Sequence, residues 1–246
     1  MKERIALITG GVGDIGTATC RELAQLGIKV IAADHVSPER GEAWCQTQKK
    51  EGFEFDYVLM DINSFESCEM VAKDVLQRIG PVDILVNAAG TIQDGLLRNM
   101  TKQQWDDVVH TDLDSMFHVT RQFINSMIER KYGRIVNVSS VNGEKGQAGQ
   151  TNYSSAKSGV YGFSKSLAQE VAKYGITVNT ISPGYVDSKM VHSISQPILD
   201  HIIAGIPVGR LATPEEIAWS IAFLVSERSG FITGSNLAVN GGIHMY

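Results

Sequence analysis

Long apolar runs are missing from this chain of 246 residues. No stretch approaches the roughly 20 residues that a membrane-spanning helix requires. The N-terminal MKERIALITGG holds four consecutive apolar residues, Ile5 to Ile8, too few for a secretory leader. Cysteine is scarce. Cys20, Cys45 and Cys68 are widely spaced and odd in number, so no disulfide framework is implied, and reduced thiols in a cytoplasmic protein are expected. An excess of basic charge is also absent: 22 Lys and Arg stand against 27 Asp and Glu, a formal charge of −5. Neither nucleic acid nor an anionic membrane is therefore expected as a partner, and no metal site is expected. Repeats, low-complexity tracts and Pro/Gly/Ser-rich linkers are lacking too, so a single soluble domain spanning 1–246 is the expectation.

What is present is a regular alternation of short β-branched runs and longer helical patterns. Residues 5–9, 28–33, 55–60, 82–87, 134–140, 176–182 and 236–241 read as strands. Several are nearly continuous apolar runs, as in parallel strands covered on both faces. Helical patterns fall near 15–26, 38–50, 64–79, 101–130, 152–173 and 214–227, the last opened by Thr213-Pro214-Glu215-Glu216 with Thr as cap and Pro at the first position. Alternation of this kind implies right-handed crossovers and an α/β fold, a doubly wound parallel sheet of about seven strands with helices on both faces.

Thr9-Gly10-Gly11-Val12-Gly13-Asp14-Ile15-Gly16 follows the first strand and opens onto a helix. Glycines there let the backbone turn sharply and approach a pyrophosphate, whose charge a helix N-terminus stabilises. Asp34 ends the second strand, where a carboxylate accepts hydrogen bonds from adenosine ribose hydroxyls and repels a 2′-phosphate. NAD(H) is thus favoured, while His35 and Arg40 nearby keep NADP(H) open. Asp61 either meets the adenine edge or caps the helix beginning near Ser64.

Tyr153 and Lys157 stand at i and i+4 of a helical pattern, on one face. A free phenol titrates near 10, and a neighbouring ammonium favours the phenolate, which brings proton exchange with a carbonyl or hydroxyl within reach of neutral pH. Ser140 ends the fifth strand thirteen residues earlier. With the glycine turn, Asn87-Ala88-Ala89-Gly90 after strand four and Ser182-Pro183-Gly184 after strand six, this set resembles the short-chain dehydrogenase/reductase family from Ile5 to Gly242.

The resemblance implies a Rossmann-type NAD(P)H-dependent reductase in which Tyr153 is the acid/base, Lys157 lowers its pKa and binds the nicotinamide ribose, and Ser140 orients the substrate carbonyl. The cofactor would lie along Gly10, Gly13, Asp14, Ile15 and Gly16, then Asp34, Asp61 and Ile62. It would continue past Asn87, Ala88, Ala89 and Gly90 to Tyr153 and Lys157, with Pro183, Gly184, Val186 and Ser188 by the nicotinamide. Three positions depart from the family pattern. Asp14 replaces a glycine, either capping the following helix or weakening pyrophosphate binding. Ala88 replaces an asparagine. Asp112 replaces the asparagine of the family's catalytic tetrad, and it accepts hydrogen bonds where an amide also donates.

Within the family the chain is more similar to the acetoacetyl-CoA reductases, on Ser139 to Gln147, Gln150 to Tyr153, Ser182 to Tyr185, Val208 to Leu211 and Val239 to Met245. This implies an acyl thioester substrate, with Gln147, Gln150, Gly184 and Tyr185 beside Ser140 and Tyr153 contacting the acyl group, and Asp94 at the pocket mouth. Three rivals stay open: reduction of the same group on an acyl-carrier protein, an NAD-linked dehydrogenase of a small alcohol, or a nucleotide-binding regulatory protein. The resemblance also implies a homotetramer.

Overall fold

The structure, a computed structural model, describes residues 4–192 and 195–245; residues 1–3 and 246 of the single-domain expectation lie outside the described residues. Seven parallel strands form one sheet in the order β3-β2-β1-β4-β5-β6-β7. They are β1 (Ile5–Thr9), β2 (Lys29–Asp34), β3 (Asp56–Leu59), β4 (Ile84–Asn87), β5 (Gly133–Val138), β6 (Ile176–Pro183) and β7 (Asn236–Val239). The helices between them are α1 (Asp14–Gln25), α2 (Pro38–Lys50), α3 (Phe65–Arg78), α4 (Lys102–Val109), α5 (Ser115–Arg130), α6 (Val141–Lys145), α7 (Thr151–Val171), α8 (Lys189–His192), α9 (Gln196–Ala204) and α10 (Pro214–Val225).

The near-continuous apolar strands are explained by two cores. Side chains alternate across a pleated strand, so Leu7, Ile31, Leu85, Ile135 and Val178 pack with Phe123 and Met127 of α5 on one face. Ala6, Ile8, Val30, Ala32, Ile84, Val86 and Val136 pack with Leu23 of α1 and Ile221 of α10 on the other. Strand order reverses between β1 and β4, and the crevice at the carboxyl ends of those strands is where open α/β sheets hold ligands. Thr213 caps α10 as expected, in a reciprocal box with Glu216.

The pattern 101–130 is helical from Lys102 to Arg130, but a π-type turn, His110–Asp114, lies between α4 and α5. Single wide turns of this kind recur at functional sites, and here the turn carries Asp112 inward to complete burial. Helices α6, α8 and α9 were absent from the sequence expectation because they are short or follow no apolar period.

The amino-terminal ends of the central strands β1 and β4 are fastened by a buried carboxylate. Asp83 accepts the Ile5 N–H at 3.1 Å and pairs with Arg130, whose guanidinium also donates to the Val82 carbonyl at 2.6 Å. Arg4 stands 3.5 Å from the same carboxylate. Removing the main partner of a buried charge leaves it uncompensated. Arg130→Met is expected to lower stability by roughly 3 kcal/mol, measured as a fall in the urea midpoint at unchanged slope.

Candidate active site

The glycine turn is shaped by close backbone approaches. Gly10 has φ +65°, and a Cβ on it would sit 2.9 Å from the Ala89 Cα; a Cβ on Gly16 would sit 2.0 Å from the Gly10 carbonyl oxygen. Thr9 Oγ1 accepts the Ala88 and Ala89 N–H groups at 3.1 and 3.3 Å, tying the end of β1 to the end of β4. Ile15 packs its side chain into the core beneath α1.

Asp34 is buried at the end of β2. One oxygen accepts the Val12 N–H at 3.2 Å, and the other accepts the His35 N–H at 2.8 Å and the Val36 N–H at 3.3 Å. The carboxylate therefore ties the glycine turn to the end of β2. His35 lies 3.3 Å from it and is exposed, as is Arg40.

Two capping expectations are corrected. Asp14 does not cap α1; Gly13 occupies the cap, and Asp14 is the first helical residue. Its carboxylate instead reaches across the crevice to accept the Lys189 N–H at 2.8 Å. Asp61 does not cap α3, because Ser64 accepts the Ser67 N–H at 3.1 Å there. Asp61 accepts the Asn63 N–H at 3.0 Å and stays exposed, and Ile62 beside it is partly buried.

Gly90 is exposed at the crevice, while Asn87 points the other way. Its amide donates to Asn137 at 2.8 Å and Thr120 at 3.2 Å inside the protein, which makes it a strut between strands. On the far wall, Pro183 ends β6, and a Cβ on Gly184 would meet the Asn240 Cα at 2.9 Å. Val186 is buried in a bridge to Ala212, and Ser188 caps the start of α8 by accepting the Val191 N–H at 3.4 Å. A cleft of about 470 Å³ opens between Val12, Asp14 and Thr17 on one side and Asp187, Ser188 and Lys189 on the other.

At the inner end, α7 brings Tyr153 and Lys157 together. Its first turn is anchored by buried Asn152, which donates to the Gln93 and Gln104 carbonyls at 3.0 and 3.1 Å and accepts the Tyr153 N–H at 2.8 Å. Lys157 is only 3% exposed; its ammonium donates to the Val138 carbonyl at 3.1 Å and stands 5.6 Å from the Tyr153 ring centre. Burial pushes the Tyr153 phenol above its ordinary value; the Lys157 ammonium pulls against this, Asp112 adds to the rise, and the facing Ser140 hydroxyl lowers it. Ser140 caps α6, its oxygen accepting the Asn142 N–H at 3.1 Å, which leaves its proton to donate elsewhere. Asp112 accepts the Thr91 N–H at 2.8 Å. A Cβ on Gly90 would lie 2.9 Å from Asp112 Oδ1 and 3.3 Å from Lys157 Nζ, so these three residues converge on one point.

Asn142 went unread in the sequence. Its amide donates to Gln150 at 2.8 Å, and Gln150 donates to Asp94 at 2.9 Å, a polar chain running from the cap of α6 to the exposed rim. Tyr185 is half-buried with its hydroxyl toward Asn142, and burial raises its pKa. Gln147 does not join this chain; it is exposed and accepts from Lys145 at 2.7 Å. Ser139 was also unread: it donates to the Lys157 carbonyl at 2.8 Å. The run Ser139 to Gln147 carries the resemblance, but the bond to the helix backbone has no mark of its own in the sequence.

The chain is 50% identical, over 100% of both chains, to an acetoacetyl-CoA reductase from Cupriavidus necator. It is 47% identical over 99% of both to nodulation protein G from Azospirillum brasilense. It is also 40% identical, over 100% of this chain and 99% of the relative, to a 3-oxoacyl-acyl-carrier-protein reductase from Vibrio cholerae. The family model described as short chain dehydrogenase matches residues 4–198, and with these relatives it shows that the chain belongs to the short-chain dehydrogenase family.

Proposed function

We propose that the chain is an NAD(P)H-dependent oxidoreductase acting on acetoacetyl-CoA, reducing its 3-oxo group to the hydroxyl. The observation that carries this reading is the convergence of Tyr153, Lys157 and Ser140 beside exposed Gly90, with the Asn142–Gln150–Asp94 chain leading outward. Full-length relatives at 42–50% identity that bear the name acetoacetyl-CoA reductase support the substrate.

The crevice suits a nicotinamide dinucleotide. The glycine turn offers backbone where a Cβ would not fit, and Gly90 leaves open the space between the turn and Lys157. A reduced nicotinamide there supplies the hydride. Ser140 donates to the carbonyl oxygen, and Tyr153 gives it a proton as alkoxide character develops. Desolvation keeps that phenol protonated until the charge appears, and Lys157 then stabilises the phenolate left behind. Tyr185 and the amides of Gln150 and Asn142 offer uncharged hydrogen bonds to the thioester arm. Ala88, Ala89, Pro183, Gly184, Val186 and Ser188 form the walls around the nicotinamide end.

The 40% match to the carrier-protein reductase favours a second reading, the same reduction on a protein-bound acyl group. Turnover on acetoacetyl-CoA against the acetoacetyl carrier protein separates them, and a large preference for the latter would reverse the assignment. The family's use of paired long helices and C-terminal strands supports a homotetramer here, with α10 exposing Trp219 and Phe223 and the C-terminal segment exposing Met245. A cytoplasmic location fits a chain in which, among the described residues, no helix is long and apolar enough to cross a membrane.

Two outcomes are expected. Tyr153→Phe removes the proton donor and lowers kcat by about 10²- to 10⁴-fold with the cofactor still bound, as steady-state kinetics and a fluorescence titration would record. Asp34, charged and at the ribose position, favours NADH over NADPH. Asp34→Asn keeps an acceptor for the Val12 N–H but removes the repulsion, and the ratio of kcat/KM for NADPH to that for NADH is expected to rise by about tenfold.

A further inference from the structure

The π-type turn drives a carboxyl group into the protein and leaves it half satisfied. Asp112 has no exposure. Its Oδ1 accepts the Thr91 N–H at 2.8 Å, and its Oδ2 is buried with no hydrogen-bond partner among the described residues. The nearest cation, Lys157, donates to the Val138 carbonyl and makes no direct ion pair with Asp112, although its charge acts on both Asp112 and Tyr153. A buried carboxylate with an idle oxygen and no direct ion pair is costly, and such a group relieves the cost by holding a proton. The groups facing it are few: Lys157 and Tyr153 from α7 and the Thr91 N–H from the segment after β4, with Asp94 farther along that segment acting on the same phenol. On its own element, exposed His110 and half-buried Asp114 pair with each other at 3.5 Å.

We infer that Asp112 is carried as the neutral carboxylic acid and is a positioning residue, one whose proton leaves the Lys157 ammonium acting undiminished on Tyr153. The inference rests on the assignment of Tyr153 as the proton donor. As the neutral acid, Asp112 keeps one acceptor oxygen on Thr91 and turns the other into a donor, so it has both functions of an amide. When it ionises, it releases a proton to solvent, and the new negative charge offsets Lys157. The phenol then holds its proton more tightly and becomes a poorer acid. Burial raises the Asp112 pKa against the opposing pull of Lys157 and of the Thr91 N–H, in the same direction as the geometry. The sign follows: the effective state lies below the raised pKa, and the advantage is lost as pH rises through it.

The test compares wild type with D112N, which has nearly the same shape and a permanent N–H donor, and with D112S as a second reference. Infrared difference spectra of the protein alone should show the carbonyl band of a protonated carboxyl in the wild type at pH 6, absent from both variants, fading as pH is raised. The kcat for acetoacetyl-CoA reduction should fall by roughly fivefold or more with the same midpoint, and D112N should lack that inflection. A wild-type spectrum with no protonated-acid band at pH 6 overturns the inference. So does a D112N pH profile that superimposes on the wild type's, since the acid would then be neutral without influence on the phenol. Failure to reduce acetoacetyl-CoA would instead overturn the substrate assignment, while the infrared band would still decide where the proton resides.

Discussion

One buried cation organises the site. The Lys157 ammonium, almost fully removed from water, is fixed by the Val138 carbonyl at the end of β5. Taking an ammonium out of water costs several kcal/mol unless it finds acceptors, so its surroundings are built to hold it. Ser139 donates to the Lys157 carbonyl, and a Cβ on Gly143 would meet the Lys157 backbone at 2.9 Å, so α6 lies directly against α7 at this residue. Ser140, which caps α6, is thereby brought opposite Tyr153, one helical turn before the lysine. The spacing between a strand-end serine and a helical tyrosine acquires chemical meaning only through that packing.

The architecture was legible because it follows from periodicity. Apolar strands buried on both faces, separated by helical patterns, leave few ways to build a sheet, and all seven strands fall within two residues of where the pattern placed them. Tyr153, Lys157 and Ser140 were legible for the same reason: a strand end and an i,i+4 pair fix their directions locally. What escaped depends on side-chain choices between competing partners. Asn87 belongs to a motif at the crevice, yet its amide finds Asn137 and Thr120 inside the sheet. Gln147 has Lys145 two residues away and bonds to it instead of facing the pocket. The π-type turn left no trace, since His110 to Asp114 are residues that an ordinary helix accepts.

The glycine turn illustrates the same limit. Its backbone geometry follows from the steric demands at Gly10 and Gly16, which the residue types announce. The carboxylate that acts on it does not announce itself in that role. Asp34 is expected as a ribose ligand, but its carboxylate accepts the Val12 N–H, so one side chain is already committed to shaping the turn. A strand-end acid that must serve the turn is constrained in position before any ligand arrives, and pre-organisation of this kind lowers the ordering cost of binding.

Asp14 and Asp112 stand where a glycine and an asparagine are usual, and the protein treats the two acids in opposite ways. Asp14 is half-buried at the first turn of α1, where a negative charge is favoured by the helix N-terminus. Its bond to the Lys189 N–H draws the carboxylate across the crevice, toward the segment that follows β6. No such escape exists for Asp112, sealed beneath Gly90 with one oxygen held by Thr91. With solvent excluded and no direct ion pair to the neighbouring ammonium, a proton relieves the cost of the buried carboxylate. Burial decides the difference: at the rim the Asp14 side chain reaches a backbone donor across the crevice, whereas in the interior a proton takes the place of the Asp112 charge.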